Sequence, residues 1–330
     1  MSSKARVLVI RFSSIGDIVL TTPVIRALHE QLAGGAEVHV LTKKKFSVVF
    51  ENNPYIHQLH VMDQSIQEVI PALKELDFDY VIDLHNNIRS RIVKRGLKRL
   101  SFTFKKLNFE KWLLVNTGIN RMPDVHVVDR YMDTLRAFQV KSDGKGLDYF
   151  LPEHLELPEG FPTEEYVAWA IGAAHEGKQM SKEKIAAVIA QLPFPVVLLG
   201  GKEDADNGAW LSQQLGNKVV DFTGKLSLHQ SALASKKARL VVCGDTGMMH
   251  IASAFQKPIV SLWGCTTPSL GMYPYRPHAS SVIMEPHGRK KRPCSKLGNR
   301  CKYGMNHKCI DQIAESELVS MIVKVYNSAQ

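Results

Sequence analysis

Five short stretches of the sequence place polar side chains directly after apolar, β-branched runs, where ligand chemistry is commonly built. The first, SSIGD at 13–17, follows RVLVIRF at 6–12. Glycine at a strand-to-helix turn admits close approach of a backbone or ligand. Asp17 then lies at or near a helix N-terminus. There it either caps the helix or stands as a carboxylate that accepts a proton as general base. Ser14 and Gly16 share the turn and are candidate acceptor contacts. The second, GDTGMMH at 244–250, brackets Asp245 and Thr246 with glycines. Backbone N–H groups at the start of a following helix point at an anion, aided by the helix dipole. Thr246, Gly247, Met248 and His250 are candidate diphosphate contacts, against the plainer reading of a capping turn and a core histidine. The third, GAAHEGKQM at 172–180, contains one cation, Lys178, which either pairs with a diphosphate or is a solvated lysine. The fourth, LGGKED at 199–204, offers Glu203, or alternatively Asp204, to ribose hydroxyls, unless the acid simply caps a helix. Trp263 ends a later apolar run and either walls a base pocket or packs in the core. The fifth, DLHNNIRSR at 83–91, gathers Asp83, His85, Asn86 and Arg89 as contacts for a polar acceptor.

None of these stretches is a G-x-G-x-x-G dinucleotide fingerprint, and no G-x-x-x-x-G-K-[ST] phosphate loop occurs. A nicotinamide oxidoreductase is therefore disfavoured. The elements that must position the five stretches alternate. Strands are expected at 6–12, 36–41, 57–61 and 79–84, with helices at 18–32 and 64–76. Pro23 belongs in a first turn or at a kink, and Gly34–Gly35 stops its helix. Residues 89–124 break the pattern, and a helix near 125–138 follows. The proline-bearing LPEHLELPEGFPT at 151–163 is a domain boundary. A second block has strands at 166–171, 195–199, 218–222, 239–243 and 258–263. Its helices fall at 182–192, where Ser181 is the N-cap, and at 205–215, 228–236 and up to 255. A terminal amphipathic helix at 311–326 packs back on the N-terminal half in this expectation. The fold class is α/β, with two doubly wound domains, 1–160 and 161–330, facing across a cleft.

The chain has 330 residues, 45% apolar and 22% charged, as an ordinary globular protein has, and is long enough for two cores. No apolar run approaches a membrane span, and MSSKARVLVIRF lacks a secretory cleavage pattern. A cytoplasmic location is expected. The net charge of +10 is concentrated in two places. Residues 89–111 carry nine Lys/Arg and one Glu, and residues 288–308 carry eight Lys/Arg and no acid. Such patches suit nucleic acid, anionic lipid or a phosphorylated substrate, or are solvated loops. Cys243, Cys265, Cys294, Cys301 and Cys309 are odd in number and unsuited to a disulfide framework. The last three are spaced C-x6-C-x7-C with His307 nearby, wider than a C-x2-C knuckle. An unmetallated thiol cluster is expected in preference to structural zinc, and no metal site is assigned.

VLVIRFSSIGDIVLTTPVIRALH, VIDLHNNIRSR, FTGKLSLHQSALASKKARLVVCGDTGMMHIASAFQKPIVSLWG and RPCSKLGNRCKYGMNHKC together resemble the family 9 glycosyltransferases. These are the ADP-heptose:lipopolysaccharide heptosyltransferases and their relatives. The resemblance spans nearly the whole chain and implies the GT-B architecture of two Rossmann-like domains. It implies inverting transfer of a heptose or related sugar from an ADP-sugar, or another nucleotide-diphosphate sugar, to a lipopolysaccharide inner-core acceptor. It implies no cofactor and no obligatory metal. By position, Asp17 resembles the general base, Lys178 the lysine reaching the donor phosphates, and Thr246 and Gly247 the diphosphate turn. His250 resembles that motif's histidine, and Glu203 or Asp204 the ribose acid. The sequence departs from the family at Met180–Ser181, where Trp-Pro is common, and matches its cysteine segment in part. The basic segment 89–111, with Phe102, Phe104 and Trp112 interleaved, would face a phosphorylated glycolipid at the inner membrane surface. Different classes of reading are a family member with another donor or acceptor, and a non-catalytic anion or nucleic-acid binder. No nucleic-acid motif is present, so nucleic acid is not an expected partner.

Overall fold

The computed structural model describes residues 4–288, 292–302 and 308–328. Two compact units divide the chain: Met1–Lys106 with Val125–Phe150, and Leu107–Asp124 with Leu151–Gln330.

The first unit is built on five parallel strands: β1 (Ala5–Ile10), β2 (Ala36–Lys43), β3 (Gln58–Met62), β4 (Tyr80–Asp83) and β5 (Leu100–Thr103). Their order is β3-β2-β1-β4-β5. Val7, Leu8, Val9 and Ile10 are fully buried, as a strand covered on both faces requires. The helix expected at 18–32 is two helices, α1 (Ile15–Val19) and α2 (Thr22–Gln31). Pro23 stands in the first turn of α2, where a missing N–H costs nothing. Val24, Ile25 and Leu28 bury the inner face of α2. Helices α3 (Ile70–Glu75) and α4 (Ile88–Leu97) follow β3 and β4. Asn87 caps α4 by accepting from the Ser90 N–H at 3.0 Å. Arg26 of α2 is 1% exposed and anchors the segment that ends the unit. Its Nε donates to Asp143 at 2.7 Å, its Nη2 to the Gly146 carbonyl at 2.9 Å, and it also pairs with Asp148.

The second unit takes in α5 (Asn108–Thr117), whereas α6 (Val127–Met132) returns to the first. Its six parallel strands are β6 (Val167–Ala170), β7 (Val196–Leu199), β8 (Val219–Asp221), β9 (Leu240–Gly244), β10 (Ile259–Leu262) and β11 (Val282–Met284). The order is β11-β10-β9-β6-β7-β8. Around the sheet run α7 (Lys182–Ala190), α8 (Ala205–Leu215), α9 (Leu228–Lys237), α10 (Gly247–Ala254) and α11 (Glu315–Ser328). Ser181 caps α7 as expected, accepting from the Lys184 N–H. In both sheets consecutive strands run outward to one edge, and the chain then crosses back to fill the other. The first unit reverses between β1 and β4, and the second between β6 and β9. That reversal defines the Rossmann order and opens a crevice at the strand C-termini.

Three expectations change. The boundary falls at Phe150–Leu151 rather than at 160, and residues 107–124 belong to the second unit. The terminal helix α11 packs on its own unit: Leu318, Ile322 and Val325 share a core with Val167, Leu198 and Leu240. The edge strands β5 and β11 were not expected. Each pairs on one side only and is three or four residues long and partly exposed, so neither has the continuous apolar run of an inner strand.

Replacing Arg26 by alanine leaves Asp143 and Asp148 without their buried cation. The expected loss is about 3–5 kcal/mol of unfolding free energy in a urea titration. A loss below about 1 kcal/mol would show that the clamp is not needed.

Candidate functional site

In the first unit, the C-terminal ends of β1 and β4 bring SSIGD and DLHNN together. Asp17 is the third residue of α1 and closes a capping box with Ser14. The Ser14 hydroxyl donates to Asp17 Oδ2 at 2.8 Å and its N–H at 3.2 Å. Asp17 Oδ1 meets the Arg11 Nη2 at 2.6 Å, and the Asp17 side chain stays 23% exposed. Asp17 therefore caps its helix, as one of its two sequence readings has it, and its carboxylate remains partly open to solvent. Arg11 is buried, donating also to the Ser13 carbonyl at 2.9 Å, the Leu84 carbonyl and the Tyr131 oxygen at 2.9 Å. Burial disfavours the Arg11 charge, yet Asp17 and Tyr131 outweigh it and its pKa is raised. Burial pushes the Tyr131 phenol up to about 12.

His85 packs edge-on against Phe12 at 5.1 Å. Burial, then the positive charges of Arg11 and Lys106, lower its pKa to about 4. Its ring is neutral at pH 7, and its buried Nδ1 has no hydrogen-bond partner. Asn86 adopts a left-handed backbone, φ 49°, and donates to the Phe104 carbonyl at 3.1 Å. Asp83 is fully buried and holds this loop rather than a ligand. It accepts from the His85 and Asn86 N–H groups at 3.0 and 2.7 Å and pairs with Lys94 at 2.9 Å. Ser14 is exposed and Gly16 buried within the turn, and Arg89 is exposed on α4.

In the second unit, the ends of β6 and β9 bring Lys178 to the GDTG turn. The Lys178 Nζ lies 2.6 Å from Asp245 Oδ2 and 3.1 Å from the Asp245 carbonyl. Those contacts engage two of its three N–H donors. The Thr266 hydroxyl donates to the same Asp245 carboxylate at 3.0 Å. Arg292 fixes that loop in turn, donating to the Thr266 carbonyl at 2.8 Å and pairing with Glu285 at 2.8 Å. Thr246 is the N-cap of α10, and its Oγ1 is buried with no hydrogen-bond partner. Gly247 begins α10, the Met248 sulfur accepts from Ser235 at 3.1 Å, and His250 is buried, 2% exposed. At the end of β7, Asp204 is 3% exposed and its Oδ2 accepts from the Gly201 N–H at 2.8 Å. A Cβ on Gly172 would meet that carboxylate at 1.9 Å, so Asp204 fills a glycine-lined slot. Glu203 beside it is exposed.

Two sequence expectations are corrected. Trp263 walls no pocket: it is 1% exposed in the core with Val241, Ala252 and Ile259, its Nε1 donating to Ser261. Large rings bury more apolar area than any other side chain, which draws Trp263 inward. In the basic segment, Phe104 is buried against Tyr131, Phe102 packs with Tyr80 and Phe138, and Lys111 is buried. The exposed aromatics are Trp112 and its stacked neighbour Phe109, both on α5. Sequence reasoning missed Arg11, Tyr131 and Thr266 as site residues. The arginine at the end of an otherwise apolar strand was the available signal for Arg11. His307, noted beside the cysteines, lies outside the described residues.

Comparison with known proteins bears on the family and the fold. The model of glycosyltransferase family 9 (heptosyltransferase) matches residues 66–302. Lipopolysaccharide heptosyltransferase 1 of Campylobacter coli is 23% identical, over 97% of this chain and 99% of that protein. A family 9 glycosyl transferase structure from Veillonella parvula superposes with a TM-score of 0.79 at 23% identity, covering 99% of each chain. The E. coli heptosyltransferase WaaC with ADP gives 0.69 at 18% identity, covering 98% of this chain and 99% of that one. The matched family model and the two Rossmann sheets with their switch-point residues lead to one conclusion: this chain belongs to glycosyltransferase family 9, the heptosyltransferase family.

Proposed function

We propose that this enzyme moves a heptose from ADP-heptose to a hydroxyl of a phosphorylated lipopolysaccharide inner-core acceptor, with inversion. The observation that carries the donor side is the buried, unpartnered Thr246 hydroxyl at the N-terminus of α10, beside the Lys178 ammonium. A buried hydroxyl without a partner costs free energy unless a ligand completes it, and a phosphate oxygen accepts from it. The α10 N–H groups and the remaining Lys178 proton add donors aimed at the same charge. Glu203 is the ribose ligand, because the Asp204 carboxylate is used within its own turn. That the relatives include a heptosyltransferase with ADP bound supports adenine over other bases.

In the reaction the acceptor oxygen forms a bond to the anomeric carbon as the carbon–phosphate oxygen bond breaks. The acceptor proton passes to Asp17. The charge appearing on the departing ADP is met by Lys178, Thr246 and the α10 dipole, so these residues carry the leaving-group stabilisation without a metal in the step. Arg11 and Ser14 each hold one Asp17 oxygen, which fixes the direction of proton transfer. His85, neutral, and Asn86 orient acceptor hydroxyls. Location follows from the acceptor: the protein works at the cytoplasmic face of the inner membrane. Exposed Phe109 and Trp112, with exposed Lys296 and Lys302 in the same unit, suit an anionic lipid surface. Lys296 donates to Asn108 of α5 at 2.9 Å, which puts the cations beside the rings.

Asp17→Asn is expected to retain ADP affinity by calorimetry and to lose about 10²–10⁴-fold in turnover. Lys178→Ala is expected to weaken ADP binding about ten- to a hundredfold. Normal turnover in the first, or selective binding of UDP or GDP by the wild type, would move the assignment to another base or another donor. Because the folded pKa of His85 is about 4, the pH profile of kcat/KM should show no His85 step between about 5.5 and 8. A step near 6.5 that disappears in His85→Gln would contradict its neutral role. Phe109→Ser with Trp112→Ser should reduce co-flotation with phosphatidylglycerol vesicles, and unchanged flotation would remove this face from membrane binding.

A further inference from the structure

Outside the site just described, histidines and a glutamate gather at the opposite end of the first sheet. Glu37 and His39 are the second and fourth residues of β2, so they share one face of that strand. His57 directly precedes β3, its N–H donating to the Val38 carbonyl at 2.8 Å. One ligand atom each from Glu37, His39 and His57 lie within 4.8 Å of one another. His39 is buried, 1% exposed, with its ring edge-on to Phe78 at 5.0 Å. Its Nδ1 meets His60 Nε2 at 2.9 Å, while its Nε2 is buried with no hydrogen-bond partner. Packing against Phe78 and His60 accounts for the burial of the ring but leaves that nitrogen unsatisfied.

We propose that His39, His57 and Glu37 bind one divalent transition-metal ion of the zinc class, with water in the remaining position. Two imidazoles and a carboxylate are a donor set suited to zinc. Nitrogen and oxygen ligands about 2.0–2.1 Å from a tetrahedral ion stand about 3.4 Å apart. Rotation of the exposed His57 and the half-buried Glu37 closes the difference, and the buried His39 stays in place. With its proton on Nδ1, His39 donates to His60 and presents the Nε2 lone pair to the metal. A bond of this kind from the other ring nitrogen is what orients a metal-ligating histidine. Burial, then the charges of His60 and His57, lower the His39 pKa to about 4, so the ring is neutral at pH 7. Arg6 Nε holds Glu37 Oε2 at 2.9 Å, which orients the carboxylate without using it up, since a carboxylate accepts at both oxygens.

The ion staples an edge of the sheet. β3 pairs with β2 alone, and Gln58 and Val61 within it are exposed. Ligands from β2 and from the residue that leads into β3 hold the two chains together where both strands begin. That pinning adds to a ladder which has no neighbour on its outer side. The site stands toward the N-terminal ends of the strands, whereas SSIGD and DLHNN leave the C-terminal ends of β1 and β4. It therefore serves the fold and not proton transfer, and it does not rest on the donor or acceptor readings above.

Calorimetric titration of the full chain with zinc chloride tests the site, read as the difference between wild type and His57→Ala. Taking the difference removes zinc held elsewhere, by the thiols for example. His57 is exposed, so its truncation leaves the fold intact. Wild type should bind about one equivalent more than His57→Ala. Glu37→Gln should weaken that equivalent by about tenfold or more. Histidine-ring NMR at pH 7 should find the His39 proton on Nδ1 before zinc is added, and the Nε2 signal should move when it is. Zinc should raise Tm of the wild type by several degrees, and that of His57→Ala by less. Equal zinc binding in wild type and His57→Ala, or a His39 Nε2 that carries the proton or does not respond to zinc, would overturn the site. Zinc bound there with no rise in Tm would overturn the stapling role.

Discussion

Parallel pairing forces the chain to leave a strand at one end of the sheet and re-enter at the other, so loops of one kind gather at the strand C-termini. Where the strand order reverses, two such loops leave in opposite directions and a crevice opens between them. The reversal occurs at β1/β4 in one sheet and at β6/β9 in the other. Every polar group used in the proposed reaction, Glu203 apart, stands on one of those four strand ends. Asp17 and His85 flank the first reversal, and Lys178 and Thr246 flank the second. The chemistry is thus a consequence of topology before it is a consequence of side-chain choice.

At each crevice the working charge is held by an opposite charge from the same unit. Arg11 holds Asp17, and Asp245 holds Lys178. Such pairing lowers the cost of a half-buried charge and orients it. It also restrains reactivity, since a carboxylate bound to arginine is a poorer proton acceptor than a free one. The arrangement suits groups that must point in one direction and act only when a substrate's own charge or proton is delivered to them. His85 is uncharged for a related reason. Burial and the nearby cations make protonation unfavourable, which leaves a neutral ring in a site that already contains a guanidinium.

Inner strands and capped helices were legible because they repeat one physical signal. Buried β-branched runs such as VLVI and LVVC allow few alternatives, and Ser181 announces its helix. Edge strands were not legible, because β5 and β11 are short and half-exposed and their register is set by neighbours far along the chain. That Asp17, Lys178 and Thr246 stand just past strand ends was legible from position alone. Their partners were not: Tyr131 lies 120 residues from Arg11, and Thr266 lies 21 from Asp245. That Asp204 is engaged within its own turn also needed three dimensions. Only the slot beside Gly172 shows that one of two adjacent acids is committed to its own turn.

The cysteines show most directly what spacing leaves open. Short motifs such as C-x2-C announce a metal because both ligands sit on one turn, whose geometry is local. Here the cysteines lie on different segments, so their spacing in sequence carries no geometric information. What brings them together is the second sheet. β10 ends at Leu262 and β11 at Met284, adjacent and in parallel, so the chain leaves both at the same edge. The coil after β11 then meets Cys265 beside the loop after β6, and the turn before α11 closes the group. The sheet whose strand ends bring Lys178 to the GDTG turn therefore also gathers the cysteines. Lys178 lies where the two adjoin, with its stem against Gly298 and its ammonium on Asp245.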